Sequence, residues 1–192
     1  QESSGFLKDE LGIQEEDKVI LTVSRLVQKN GVRDLIKSMT YLDFPFKLLI
    51  LGRGKEEKKL KQLAEKLNLK EKVLFLGHLD YADLPQYYNL ADVFVRPSLS
   101  EGLGNVFLEA MACGVPLVAT PVGGINDFLK EAEGLACHPQ DSQDIALKIS
   151  KAVNLKDKLK DKLRRLAEEN YSWQKISQQM EEIYFKLIHE QR

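Results

Sequence analysis

Val93-Phe94-Val95-Arg96-Pro97-Ser98-Leu99-Ser100-Glu101-Gly102-Leu103-Gly104-Asn105-Val106-Phe107-Leu108-Glu109-Ala110-Met111-Ala112-Cys113-Gly114-Val115-Pro116-Leu117-Val118-Ala119 reads as strand, loop, helix and second strand. The flanking runs, Val93-Phe94-Val95 and Val115-Pro116-Leu117-Val118-Ala119, are short and almost wholly apolar. Such runs suit strands buried on both faces, the condition of a parallel sheet covered by helices. The same pattern continues on either side. Val19-Ile20-Leu21-Thr22-Val23, Phe46-Lys47-Leu48-Leu49-Ile50-Leu51 and Val73-Leu74-Phe75-Leu76 read as strands, and Gly134-Leu135-Ala136-Cys137 as a weaker sixth. Between them, Leu35, Ile36, Met39 and Leu42, then Leu60, Leu63, Ala64 and Leu67, fall at helical spacings. Leu84, Tyr87, Tyr88 and Ala91 form a shorter stripe, as do Val106, Phe107, Ala110 and Met111. This alternation predicts an α/β fold, a doubly wound parallel sheet of about six strands with C-terminal helices. Such sheets bind ligands at the carboxyl ends of their strands.

The tail from Asp141 onward reads as helical. Leu155, Leu159, Leu163 and Leu166 share one face, and a last helix carries Trp173, Ile176, Met180, Ile183, Tyr184 and Leu187, with Trp173 expected to anchor it to the core. No linker divides the chain, so residues 1–192 read as a single domain. Its parts are a lead-in over 1–16, a sheet-forming core over 17–153 and C-terminal helices over 154–192.

The 192 residues include 28 basic and 29 acidic side chains, and 43% are hydrophobic. That suffices for a full core and lacks the basic excess of a general nucleic-acid binder, so no nucleic-acid partner is expected. Two cysteines, Cys113 and Cys137, are too few for a disulfide scaffold and favour a reducing compartment. No apolar stretch approaches the roughly 20 residues of a membrane span. The opening Gln1-Glu2-Ser3-Ser4-Gly5 lacks the layout of a signal peptide. A cytoplasmic location is expected, and the missing initiator methionine fits a piece of a longer protein. The basic residues Lys151, Lys156, Lys158, Lys160, Lys162, Arg164 and Arg165 offer one route to peripheral contact at the inner face of a membrane. Asp157, Asp161, Glu168 and Glu169 dilute them, which favours a solvated helix face. The apolar stripe of the last helix is a candidate for association with a partner or a second copy.

Several chemistries are absent from the sequence. His78, His138 and His189 are far apart, with no cysteine or carboxylate at metal-ligand spacing, and neither a nucleophile elbow nor a Walker phosphate loop occurs. Gly52-Arg53-Gly54 follows a strand and suits either backbone close to a ligand or a plain tight turn. The loop Pro97–Gly104 is more telling. Its glycines present bare amides, and the helix that begins near Asn105 has free N–H groups that attract phosphate. Glu109 lies four residues after Asn105 on the same helical face, where a carboxylate accepts hydrogen bonds from a diol. Glu101, just before the helix, suits a sugar ring in the same way.

Glu101 and Glu109 form a Glu-x7-Glu motif, and with it the chain resembles the group 1 glycosyltransferases (glycosyltransferase family 4). The other motifs of that resemblance follow in order. They are Ser24-Arg25-Leu26 with Gly31, Leu51 to Gly54, Phe75-Leu76-Gly77, Ala91-Asp92-Val93, Gly114-Val115-Pro116, Gly123-Gly124-Ile125, Gly134, Pro139 with Asp141, and Tyr171-Ser172-Trp173. The resemblance implies a GT-B architecture of two Rossmann-like domains, with this chain as the C-terminal half that binds a nucleoside-diphosphate sugar. An N-terminal domain, supplying most of the acceptor site, would be its partner. Residue by residue, the resemblance implies that Glu109 holds the ribose and Glu101 contacts the transferred sugar. Gly102, Leu103, Gly104, Asn105 and Val106 would offer amides to sugar and diphosphate, and Arg25 would neutralise the diphosphate. Gly52, Gly77, His78 and Leu79 would face the nucleobase side. Glu101 and Arg25 are the residues assigned to catalysis. Transfer with retention of configuration and without a metal or other cofactor is the implied chemistry.

One position departs from the family. Asn30 stands where a lysine is usual, with Lys29 one place earlier, so a charge is lost from the donor site. Arg96, at the end of an otherwise apolar strand, is the candidate replacement cation. Pairing with Glu101 or Asp127 is the other account of it. The sequence therefore leaves two further readings open beside the transferase: a nucleotide-sugar-binding module without catalysis, and a sugar-nucleotide epimerase of the same fold.

Overall fold

The computed structural model describes residues 2–190. In chain order its elements are α1 (Glu2–Glu10), β1 (Lys18–Val23), α2 (Val32–Ser38), β2 (Phe46–Leu51), α3 (Glu57–Lys66), β3 (Val73–Gly77), α4 (Leu84–Leu90) and β4 (Val93–Arg96). There follow α5 (Asn105–Ala112), β5 (Leu117–Ala119), α6 (Ile125–Leu129), β6 (Leu135–Ala136), α7 (Ser142–Val153), α8 (Lys156–Tyr171) and α9 (Trp173–Glu190). The strands form one sheet in the order β3-β2-β1-β4-β5-β6, and every neighbouring pair is parallel. This is the doubly wound, Rossmann-like α/β fold that the apolar runs predict. β5 starts after Pro116, which has no N–H to give the ladder, although its carbonyl still accepts from Phe94 at 2.9 Å.

The two-residue period of the strands sorts the core into two layers. Val19, Leu21, Leu49, Leu51, Phe94, Leu117 and Ala119 face α1, α4, α5, α6 and α8. Ile20, Leu48, Ile50, Val93, Val95 and Val118 face α2, α3 and α7. Strand order runs one way from β1 to β3 and the other way from β4 to β6. The reversal between β1 and β4 opens a crevice at their carboxyl ends, where such sheets take ligands.

Two features differ from the sequence reading. Residues 1–16, read as a lead-in, hold α1, and Leu7 and Ile13 are buried in the first core layer. Trp173 is not an anchor: it is 84% exposed. The aromatic that closes the tail is Tyr171, whose ring meets Phe128 edge-on at 6.3 Å between centroids. Ser172 then takes an extended conformation, φ −69° and ψ 145°. α8 ends there, and α9 begins with its first side chain in solvent.

α8 is tied to the domain by its own basic residues. Lys156 pairs with Asp92 at 2.9 Å and Lys162 with Glu133 at 2.6 Å. Arg164 donates to the Cys113 carbonyl at 3.4 Å. Part of the basic face seen in the sequence is thus engaged within the fold. No helix among the described residues is long and apolar enough to cross a membrane.

Candidate active site

An open cleft of about 710 Å³ lies in the crevice. Ser24 and Arg25 enter it after β1, Gly52 and Arg53 after β2, His78 and Leu79 after β3, Arg96 at the end of β4, and Val106 at the start of α5. Four consecutive strand exits therefore contribute to one surface.

Close backbone packing builds the walls. The Ser24 amide donates to the Leu51 carbonyl at 2.9 Å, and the Gly52 amide to Gly77 at 2.6 Å. Gly52 has φ +129°, and a Cβ there would lie 1.9 Å from the Ser24 carbonyl oxygen, so only glycine fits. On the other side, the Gly124 amide donates to the Gly102 carbonyl at 3.1 Å. Gly123, at φ +57°, lets the turn after β5 touch the Glu101 backbone: a Cβ there would come within 1.9 Å of that carbonyl oxygen. The loop carrying Glu101 is fixed from beneath by these contacts. α5 begins after Gly104 with no side chain capping it. Its first amides and the positive end of its dipole are thus left for solvent or a ligand.

The Arg96 guanidinium is buried, and its Nη2 lies 2.7 Å from Glu101 Oε2. Ser98 Oγ donates to the same oxygen at 3.3 Å. Arg96 Nε is buried without a hydrogen-bond partner among the described residues. Burial lowers the Arg96 pKa, Glu101 and Tyr88 oppose this, and nearby Arg25 adds to the lowering. Of the two accounts of Arg96, the geometry gives the pairing with Glu101, while the side chain still lines the cleft.

Glu109 is held from the core side. The Tyr88 hydroxyl donates to Glu109 Oε2 at 2.7 Å, and its ring packs on Phe94 at 5.9 Å. Burial first, then the hydrogen bond to Glu109, pushes the phenol pKa upward, so Tyr88 remains a donor. Asn30 is 1% exposed and lies outside the cleft lining. Its Nδ2 donates to the Arg25 carbonyl at 2.8 Å and approaches Ser24 Oγ at 3.4 Å. It braces the backbone under Arg25. Lys29 is exposed, and its carbonyl accepts from the Leu99 amide at 2.7 Å.

The structure brings Arg25, Gly52, His78, Leu79, Arg96 and Val106 into one cleft. Glu101 joins through its ion pair, and Gly77 through the Gly52 amide. Gly102, Leu103 and Asn105 are exposed on the adjoining loop and helix start, and Gly104 is half-buried there. Arg53, Ser24 and Tyr88 were not picked out as site residues in the sequence. Arg53 had a signal, since it stands between two glycines directly after a strand; the pairing of Tyr88 with Glu109 had none. Among the described residues no three His, Cys, Asp or Glu side chains are placed to share a metal ion. Apart from His78, the ionisable groups lining the cleft are Arg25, Arg53 and Arg96.

A family model described as Glycosyl transferases group 1 matches residues 4–173. The N-acetyl-alpha-D-glucosaminyl L-malate synthase of Bacillus anthracis is 31% identical, over 97% of this chain and 50% of that protein. A GDP-mannose-dependent monoacylated alpha-(1-6)-phosphatidylinositol monomannoside mannosyltransferase of Corynebacterium glutamicum is 33% identical, over 95% of this chain and 51% of its own. Among solved structures, HepE of Anabaena in complex with UDP and glucose superposes with a TM-score of 0.87 at 26% identity. That match covers 96% of this chain and 52% of the other. The chain spans about half the length of the curated relatives it matches.

Proposed function

This chain belongs to the group 1 glycosyl transferases, and from that premise we propose that it is the donor-binding half of a retaining enzyme. In this reading it is the C-terminal domain of a GT-B transferase of glycosyltransferase family 4, moving a sugar from a nucleoside-diphosphate sugar to an acceptor held largely by another domain. The observation that carries it is the cleft at the strand-order reversal, where Arg25, Arg96 and the uncapped start of α5 converge and Glu101 joins through its ion pair with Arg96. Two of the relatives are named for sugar transfer or glucosaminyl-malate synthesis, and the Anabaena structure holds UDP and glucose.

Each group has a role in this reading. The diphosphate lies against the amides at the start of α5, with Arg25 neutralising its charge. Glu109, oriented by Tyr88, accepts hydrogen bonds from the ribose diol, and Glu101 accepts from a hydroxyl of the transferred sugar. The base lies towards Gly52, Gly77, His78 and Leu79. As the glycosidic bond breaks, negative charge grows on the departing diphosphate. Arg25 and the helix dipole stabilise it there, so the reading calls for no metal ion. Positioning and electrostatics supply the catalysis.

A specific observation favours a second reading, nucleotide-sugar binding without transfer: Asn30 is neutral, buried and turned onto the backbone. Calorimetric titration with UDP, GDP and ADP and their sugar derivatives tests the shared part. One matching nucleotide is expected to bind, and Glu109→Ala to weaken it by at least about tenfold. No binding of any of the six would overturn both readings. Transfer or donor hydrolysis after adding the acceptor-side half separates them.

A further inference from the structure

We propose that Arg96 is a positioning residue through which this site distinguishes a nucleotide sugar from the bare nucleoside diphosphate, by holding one oxygen of Glu101 so that the other is left for the sugar. The proposal rests on the donor-site reading above and adds a specificity role for a residue that a diphosphate does not need.

Glu101 has two carboxylate oxygens, and the fold treats them differently. Oε2 takes both the Arg96 Nη2 contact at 2.7 Å and the Ser98 hydroxyl at 3.3 Å. Oε1 makes no hydrogen bond among the described residues. The two side chains are only 10% and 12% exposed. Water therefore screens the pair weakly, and losing one partner strands the other's charge. The backbone is constrained as well. The Thr120 hydroxyl donates to the Ser98 carbonyl, and Gly123 and Gly124 pack on the carbonyls of Glu101 and Gly102. With its main chain seated on that turn and its side chain tied to Arg96, Glu101 is pre-organised before any ligand arrives.

Placing a guanidinium here is costly unless it has such a purpose. Val93, Phe94 and Val95 leave no exposed surface on β4, and Arg96 at its end keeps a buried Nε with no partner among the described residues. Its charge is matched by Glu101, so the pair adds little net attraction for an anion. Arg25 and the α5 amides remain for that task. The effect of Arg96 thus falls on the group that Glu101 touches.

Titration calorimetry on the 192-residue chain tests this, with UDP, GDP, UDP-glucose and GDP-mannose as probes against Arg96→Leu, Arg96→Lys, Glu101→Gln and the Arg96→Leu/Glu101→Gln double variant. Arg96→Leu is expected to keep nucleoside-diphosphate affinity within about twofold while weakening the nucleotide sugar about tenfold. The double variant should bind no worse than Glu101→Gln alone, since the two residues act as one unit. Arg96→Lys should recover part of the loss and gives the same split should the leucine variant fail to fold. Equal loss for diphosphate and nucleotide sugar would overturn the proposal in favour of a direct Arg96–diphosphate contact. Full additivity, or no loss for the sugar, overturns it too. Failure of the unaltered chain to bind any of these four, or ADP and its sugar derivative, overturns the donor-site reading and this one together; an unsplit loss overturns this one alone.

Discussion

The phenol of Tyr88 is 2% exposed and its oxygen lies 2.7 Å from Glu109 Oε2, which makes a core aromatic part of the site. A hydrogen bond to a charged acceptor contributes about 1.5–3 kcal/mol. Tyr88→Phe removes it while leaving the ring against Phe94. The variant is therefore expected to fold and to melt a few degrees lower. The nucleoside-diphosphate affinity should fall several-fold, because the Glu109 carboxylate loses its fixed direction. An unchanged affinity in the same titration would mean that Glu109 needs no such support. Spacing revealed Glu109 as one of two acids around a helix start, because the residues directly flanking it, Val106 to Leu108 and Ala110 to Ala112, are all apolar. It did not reveal Tyr88, which reads as one more apolar position of the α4 stripe. Only the packing of α4 against α5 puts the hydroxyl beside the carboxylate. Asn30 shows the reverse case. Its place in the motif marked it as a ligand-facing position, but a short buried amide reaches the Arg25 carbonyl before it reaches the cleft.

Where β6 hands over to α7, the join is electrostatic. Asp144, in the first turn of α7, accepts from the His138 amide at 2.7 Å and contacts His138 Nδ1 at 2.9 Å and Lys148 at 3.7 Å. Burial would raise its pKa, but the His138 contacts and Lys148 prevail and hold it below the ordinary aspartate value. The folded form thus releases this proton more readily than the unfolded chain does. The stabilisation is full above the unfolded pKa of about 3.9 and is lost as pH falls through that value towards the folded one. Asp144→Asn is expected to lower stability at pH 7 by up to about 1 kcal/mol. It should also flatten the acid limb of a denaturant midpoint-versus-pH plot; an identical acid limb would show that the contact does not contribute. The sheet and its crossovers were legible because β1, β2, β3, β4 and β5 are nearly unbroken apolar runs. α1 was not, since Ser3, Ser4 and Gly5 break any stripe and its docking rests on Leu7. Trp173 misled for a similar reason. A large aromatic in a periodic stripe implies burial, yet the stripe's partner need not lie within the same domain.

That last point governs the molecule as a whole. Met180, Ile183, Tyr184, Leu187 and Ile188 repeat at helical spacing along α9, and each is 44–61% exposed. An apolar stripe of this length is rarely left in water. The chain spans about half the length of the curated relatives it matches, and among the described residues nothing covers the stripe. Taken alone, the chain is expected to self-associate through α9. Sedimentation velocity should show a mass that rises with concentration and holds in high salt, since burial of apolar area is not screened as ion pairs are. Replacing Ile183 and Leu187 by serine should return it to a monomer. Nucleoside-diphosphate affinity should stay the same, because no described α9 residue lines the cleft. A chain that remains monomeric at every concentration tested would show that the stripe does not drive association. Loss of nucleotide binding in the serine variant would instead show that α9 supports the site.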